Sequence, residues 1–266
     1  LSAAVVSLTT DFGLSDFDAG VLGGVILSIA PQARIAELTH QITPFNILEG
    51  AVILGRCAPY FPDGTIHVAV VDPGVGTARR GLAARLGRQY FIGPDNGLCT
   101  LMARQAAAED LSCQYFSLDR PRYWLKDVTH VFHGRDIFAP AAAHLAAGLP
   151  IEEIGSRMEN PVMLEFPEPT PTETGWRGKI LHIDHFGNLT SNLNTTHLDR
   201  AIHEVHVCGK TITGMHATYG SAPPGNMIAL IDDSGCLEIA VSQGSAENLL
   251  GAGIGTEVEV VFKESL

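Results

Sequence analysis

The chain has 266 residues, 45% of them hydrophobic and 17% charged, a globular composition long enough for one large domain or two modest ones. Its formal net charge is −12, from 29 acidic residues against 17 Lys and Arg, and no basic cluster occurs, which argues against nucleic acid as a partner. The acidic excess suits solubility and would also suit a cationic small ligand. In chain order, VVSL reads as a strand and AGVLGGVILSIA as a helix ended by Pro31. RIAEL is a second strand and NILEGAVILGRCAPYF a second helix. IHVAVV is a near-continuous apolar run, as expected of a strand buried on both faces. RGLAARL and RQYFIG read as paired strands joined by a tight turn at Gly87. NGLCTLMARQAAA is helical with Asn96 as its N-cap, CQYFSL is a strand, and GRDIFAPAAAHLAAG is a helix stopped by Gly148 and Pro150.

This alternation predicts an α/β N-terminal domain over residues 1–164, three-layered with a largely parallel sheet. The composition then changes. EFPEPTPTETGWRG, with Pro167, Pro169 and Pro171, predicts a Pro/Thr-rich linker over residues 165–177. GKILHID, EVHVCGKTITG, NMIALID, CLEIAVS and GTEVEVVF are short strands with Gly-containing turns, so residues 178–266 are expected to form an all-β barrel domain. Cys57, Cys99, Cys113, Cys208 and Cys236 are odd in number and lack CxxC spacing, which predicts reduced, mostly buried thiols. The N-terminus shows no basic region or signal-like apolar core, and AGVLGGVILSIAP is too short and Gly-interrupted to span a bilayer. A cytoplasmic protein without membrane association is the expectation.

Three clusters in the first domain can carry chemistry. In TTDFGLSDFDAG, Asp11 follows a strand, where ligands of open α/β sheets bind, while Ser15, Asp16 and Asp18 suit helix capping and the first turn. In VVDPGVGTARR, Asp72 again ends a strand, and Pro73, Gly74 and Gly76 bend the chain so that backbone could pass close to a ligand. A strand-ending turn with surface arginines is the plainer alternative, and the segment lacks the GK[ST] ending of a phosphate loop. In THVFHGRDIFAP, His130 reads as a loop residue and His133 stands near a helix N-terminus, which favours neutral imidazole. Arg79 or Arg135 would act as an electrostatic group, not a base. In the second domain the pairs His182/His185 and His203/His206 are three apart on strands, point to opposite faces and should not chelate one metal. HFGNLTSN is rich in side chains able to read a polar ligand, or is an ordinary polar loop.

Taken in order, TTDFG, VVDPGVGTARR, IGPDNG, FHGRDIFAPAAAHLA, IDHFGNLTSN and SGCLEIAVSQGSA resemble the S-adenosyl-L-methionine hydroxide adenosyltransferases, relatives of the fluorinase and chlorinase enzymes. The resemblance spans nearly the whole chain and implies an α/β domain followed by a β-barrel. It implies a homotrimer, or a dimer of trimers, with each site shared between the N-terminal domain of one subunit and the C-terminal domain of its neighbour. The implied reaction is hydrolysis of S-adenosylmethionine to adenosine and methionine, with Asp72, Arg79 and His133 as catalytic residues and no metal or cofactor. It further implies Asp11 and Asp72 at the ribose hydroxyls, Asp184 and Ser234 at the methionine part, Asn188 at the adenine edge and Tyr219 stacked on the base. Phe45 would supply an aromatic wall where the fluorinase has tryptophan, and Glu238 is a further contact. Arg80 is expected at the surface. The short RLGRQYFIGPDNG, without the fluorinase's inserted loop, favours hydroxide over halide. The competing expectations are a halide-using synthase, a non-catalytic nucleoside sensor, and a metal-dependent hydrolase built on Asp11, Asp16, Asp18 and the histidine pairs.

Overall fold

The computed structural model describes residues 3–263. The chain divides into two compact units after Leu164. In the first, β1 (Val5–Thr10) leads to α1 (Asp18–Ile29), and β2 (Arg34–Thr39) leads to α2 (Ile47–Cys57). β3 (Ile66–Val70) is followed by the hairpin β4 (Gly81–Leu86) and β5 (Gln89–Pro94). α3 (Thr100–Ala108), β6 (Cys113–Ser117), α4 (Ala139–Ala146) and β7 (Ser156–Met158) complete the unit. α2 begins as its sequence predicts, with the Asn46 side chain accepting from Glu49 N–H. α1 does not: its N-cap position is Phe17, without a side-chain cap, and Asp16 accepts the adjacent Phe17 N–H.

The seven strands lie in the order β2-β1-β3-β5-β4-β6-β7. The pairs β2–β1, β1–β3 and β3–β5 are parallel, whereas β5–β4, β4–β6 and β6–β7 are antiparallel. The sheet is therefore mixed, a correction to the largely parallel one expected. α1 and α2 supply the crossovers that parallel pairing needs, but at Gly87, with φ +58, the chain turns straight back and can pair only antiparallel. Both faces are covered. Leu22 and Ile26 of α1 and Ala142 of α4 pack with Val6, Leu8 and Val68 in one core, and Leu54 of α2 and Met102 of α3 pack with Ala69, Leu82 and Phe91 in another. β3 is buried along its whole length, as its apolar run predicts.

The second unit contains β8 (Thr170–Pro171), β9 (Gly175–Ile183), β10 (Leu189–Asn194), β11 (Ile202–Val207), β12 (Lys210–Thr213), β13 (Met227–Ile231), β14 (Cys236–Val241), α5 (Ala246–Leu250) and β15 (Glu257–Phe262). Its sheet runs β12-β11-β15-β9-β10-β14-β13 with β8 beside β9. The nine-residue β9 pairs with both β10 and β15. Past β12, His216 N–H donates to Ala229 O of β13 at 2.7 Å, so the sheet nearly closes and is barrel-like. Ile180, Leu193, Val205, Leu237 and Val260 fill its interior.

Two expectations are corrected here. The domain is not purely β, because Ser245 accepts from Asn248 N–H and starts the short helix α5. The segment 165–177 is packed rather than a bare linker: Thr170 and Pro171 pair with Arg177 and Trp176, Phe166 is buried, and Pro167 O accepts from Asn192 Nδ2 at 2.7 Å. Proline lacks an N–H but keeps its carbonyl, so Pro-rich chain can still dock as an acceptor on a sheet edge. The cysteines are free, but only Cys99 is buried, and Cys208 is exposed at the β11–β12 turn. Among the described residues no helix is long and apolar enough to cross a membrane.

Candidate active site

β1 and β3 are parallel neighbours, with Thr10 paired to Val70, so Asp11 and Asp72 leave the sheet side by side at its carboxyl end. The turn after β3 is closed by Val75 N–H donating to Asp72 O and by Thr77 Oγ1 donating to Gly74 O. Asn96, expected to cap α3, instead donates its Nδ2 to Val71 O at 2.9 Å and so holds the strand exit that carries Asp72. Gly76 has φ +75, and a Cβ there would lie 2.1 Å from His130 O. That contact brings the segment before His133 against the turn.

Arg79 grips Asp72 through the two nitrogens of one edge of its guanidinium, Nε to Oδ1 at 3.1 Å and Nη2 to Oδ2. Nη1 donates to Arg80 O at 2.9 Å, and the guanidinium lies 5.3 Å from the centroid of the Phe138 ring. Nη2 also lies 3.2 Å from His133 Nδ1. Arginine can only donate, so Nδ1 accepts and the neutral imidazole carries its hydrogen on Nε2. Burial, reinforced by the Arg79 charge, holds the His133 pKa below its ordinary 6.5. Burial pushes the Asp72 carboxyl up, with the charge and hydrogen bonds of Arg79 opposing it. The side chains of Asp72 and Arg79 are 5% and 10% exposed, so water screens their interaction little.

His133 precedes a π-helical turn, Gly134–Phe138, that runs into α4. Pro140 explains the wide turn. It has no N–H to offer Asp136 O, and that carbonyl accepts from Leu125 N–H at 2.8 Å instead. Asp136 is fully buried; burial would raise its pKa, but hydrogen bonds from Arg135 and from Thr129 N–H and Oγ1 hold it below the usual carboxylate value. Arg135 is thus paired with Asp136 and set over the Phe132 ring, while Arg79 holds the electrostatic position. Arg80 is exposed, as expected, and its guanidinium pairs with buried Asp95 at 2.6 Å and donates to Asn160 O at 2.7 Å.

Asp11, Phe12, Pro44, Phe45, Asp72, Val75 and His133 line a cavity of about 240 Å³. Asp11 Oδ2 accepts from Phe45 N–H at 2.8 Å, and Phe45 sits at φ +68, a left-handed conformation unfavourable to a residue with a side chain. Leu14, Phe17, Phe45 and Val131, from the same loops, are exposed apolar side chains.

The second unit carries its own polar cluster. Asp184 Oδ1 accepts from Phe186 and Asn188 N–H, and Oδ2 accepts from Asn188 Nδ2 at 2.9 Å, leaving the Asn188 carbonyl as that side chain's free end. Tyr219 OH donates to Glu238 Oε1 at 2.8 Å. Burial and the nearby Asp184 and Asp232 raise the Glu238 pKa, opposed by hydrogen bonds from Tyr219 and Thr190. Asp232 Oδ1 accepts from Ser234 N–H and Oγ and from Cys236 N–H. Because the Ser234 hydroxyl hydrogen goes to Asp232, its oxygen faces other partners as an acceptor. Asp232 and Thr190 were missed by the sequence reading, although Asp-x-Ser is the pattern of an Asx turn. Among the described residues no group of three or more His, Cys, Asp or Glu side chains is arranged to hold a metal ion.

A mixed α/β unit with an Asp–Arg–His cluster at its strand ends, joined in sequence to a nearly closed antiparallel sheet, defines the class of the protein. Residues 6–155 match the SAM hydroxide adenosyltransferase N-terminal domain and residues 178–259 the C-terminal domain, and the chain belongs to this family. It is 39% identical over 263 residues to the (R)-S-adenosyl-L-methionine hydrolase of Thermus thermophilus, covering 96% of this chain and 99% of the relative. The hydrolase of the same name from Salinispora arenicola is 36% identical over 258 residues, with 96% and 97% covered. A fluorinase from an Actinoplanes species is 27% identical over 74% of each chain. The crystal structure of a conserved protein from Thermotoga maritima superposes with a TM-score of 0.88 at 32% identity, covering 96% of this chain and 99% of that one.

Proposed function

We propose that this enzyme hydrolyses S-adenosyl-L-methionine. Water attacks ribose C5′, the C5′–S bond breaks with its electron pair passing to sulfur, and adenosine and L-methionine leave. The observation that carries the reading is the closed Asp72–Arg79–His133 cluster on the wall of a cavity, in a chain whose hydrolase relatives match it end to end. A sulfonium leaves as a neutral thioether and needs no general acid, so the barrier lies in the nucleophile. With its hydrogen on Nε2, His133 donates to the water oxygen and orients it. The water proton passes to Asp72, whose burial favours taking one up, while Arg79 stabilises the hydroxide character. A dry site strips solvent from that nucleophile.

Asp11 and Asp72 take the ribose hydroxyls, and Phe45 forms an aromatic wall. In the second unit, Asp184 and the acceptor oxygen of Ser234 suit the ammonium of the methionine part. The free carbonyl of Asn188 suits the adenine amino group, Tyr219 stacks on the base, and Glu238 holds Tyr219. The reading includes a homotrimer in which the N-terminal unit of one subunit and the C-terminal unit of the next share a substrate, and it needs no metal or cofactor.

Incubation with S-adenosylmethionine in ¹⁸O water, with chloride, fluoride and a chelator present, tests it. Label in the adenosine 5′-hydroxyl at full rate is expected. A 5′-halo product, loss of turnover on chelation, or no product overturns the reading. Sedimentation velocity tests the assembly, and a monomer under turnover conditions removes the shared site.

A further inference from the structure

Behind the wall that carries Asp11 runs a polar chain that the reaction above does not use. Thr10 Oγ1 lies 2.8 Å from His40 Nδ1, and His40 Nε2 lies 2.5 Å from Glu37 Oε2. Thr10 and His40 are buried, while the Glu37 side chain is about half exposed. The direction of the chain is set at its Glu37 end. A carboxylate only accepts, so Nε2–H donates to Glu37, and Nδ1 of the neutral ring accepts the Thr10 hydroxyl hydrogen. The Thr10 oxygen in turn accepts from Phe12 N–H at 3.2 Å. Backbone bonds bind the same segments together, Gly13 N–H to His40 O at 2.6 Å and Ile42 N–H to Thr10 O at 3.3 Å. At the cavity, Asp11 Oδ2 takes Phe45 N–H, and that bond restrains the left-handed Phe45 backbone.

We propose that His40 is a positioning residue, which through Thr10 and Phe12 sets the angle at which Asp11 meets the substrate and, through Asp11, holds Phe45 at the rim. The inference rests on the ribose role proposed for Asp11. A carboxylate contributes to binding hydroxyls only while its geometry is held, and here His40 is hydrogen-bonded to Thr10, the residue before Asp11, whose oxygen takes the N–H of Phe12, the residue after it. Glu37 fixes the tautomer of His40 as an orienting carboxylate does for other functional histidines.

The test compares His40→Ala and Glu37→Gln with the wild type. For His40→Ala, KM for S-adenosylmethionine is expected to rise about tenfold with kcat changed less than threefold. For Glu37→Gln, KM is expected to rise roughly two- to threefold. Combining His40→Ala with Asp11→Ala should raise KM no further than Asp11→Ala alone, because both changes remove one contact. Amide exchange gives a readout independent of turnover: in His40→Ala the Phe12 and Phe45 amides exchange at least about tenfold faster, with the Val68 amide of β3 unchanged. An unchanged KM, additive effects in the double variant, or wild-type exchange at Phe45 overturns the inference. Should the wild type fail to hydrolyse S-adenosylmethionine, the functional reading falls and the Phe45 amide alone decides the positioning role. If His40→Ala does not fold, the exposed Glu37→Gln decides it by the same two readouts.

Discussion

Arg79 serves four acceptor atoms at once: both oxygens of Asp72, the Arg80 carbonyl and His133 Nδ1. A lysine would keep the charge but could not span Asp72 and His133 with a rigid fork. Arg79→Lys is therefore expected to lower kcat by roughly 10²–10³-fold, the scale of losing one oriented electrostatic group, with a smaller change in KM. Wild-type kcat in that variant would remove the fork from the mechanism. His133 makes a second prediction. Protonating Nδ1 would remove the acceptor for Arg79 and place a cation beside it, and burial and Arg79 both oppose that protonation. As pH falls, kcat/KM should hold through the ordinary histidine range and drop only below about 6.5. An acid limb with its midpoint at or above 6.5 would assign the limb to another group. At this scale the sequence was legible in part. Asp72, Arg79 and His133 could be named from their motifs, but the partners of exposed Arg80 could not, because Asp95 and Asn160 are 15 and 80 residues away. Asp232 was passed over because its acceptor role depends on a turn closing on it.

The turn after β3 and the helix entry after His133 work as a pair. Gly76 accepts the close approach of His130 O and holds φ +75, so Gly76→Ala meets both a collision and backbone strain. A loss of about 2–4 kcal/mol of unfolding free energy is expected, with activity falling further than stability because the His130–His133 segment is displaced. Denaturant unfolding together with kcat/KM measures both. Unchanged stability would show that the turn has another conformation to adopt. The π-helical turn could not be read from periodicity, since GRDIFAPAAAHLA scans as one helix. It arises because Pro140 frees Asp136 O for Leu125, a partner outside the helix. Strand pairing was likewise underdetermined: the hairpin at Gly87 was legible from its turn residue, but the antiparallel half of the sheet follows from where β6 and β7 dock.

Across the whole first unit, stability should depend on pH through a group far from the chemistry. His67 in β3 is fully buried, with Nδ1 2.7 Å from Ser7 Oγ and Nε2 3.3 Å from Gln89 Oε1, and burial lowers its pKa from 6.5 to about 4. The unfolded chain binds a proton at His67 between those values and the folded chain does not. The stabilisation is thus complete above pH 6.5 and is lost as pH falls toward 4, about 3 kcal/mol in all. His67→Asn should lower stability at pH 7 yet flatten this part of the profile in denaturant titrations from pH 7 to 4. An unchanged slope would place the dependence elsewhere.

By itself the sequence determined the order of elements, the change of composition near residue 165, the burial of β3 and the motifs that mark the family, because local periodicity, turn residues and short spacings are written along the chain. The tertiary structure alone decided that half of the first sheet is antiparallel, that the Pro-rich segment packs on the second sheet, and that Arg79 joins Asp72 to a histidine 54 positions away. It also decided the tautomer of His133, since which nitrogen carries the hydrogen depends on the donor that faces the ring. Contacts of that kind are set by the packing of distant segments, and no local pattern encodes them.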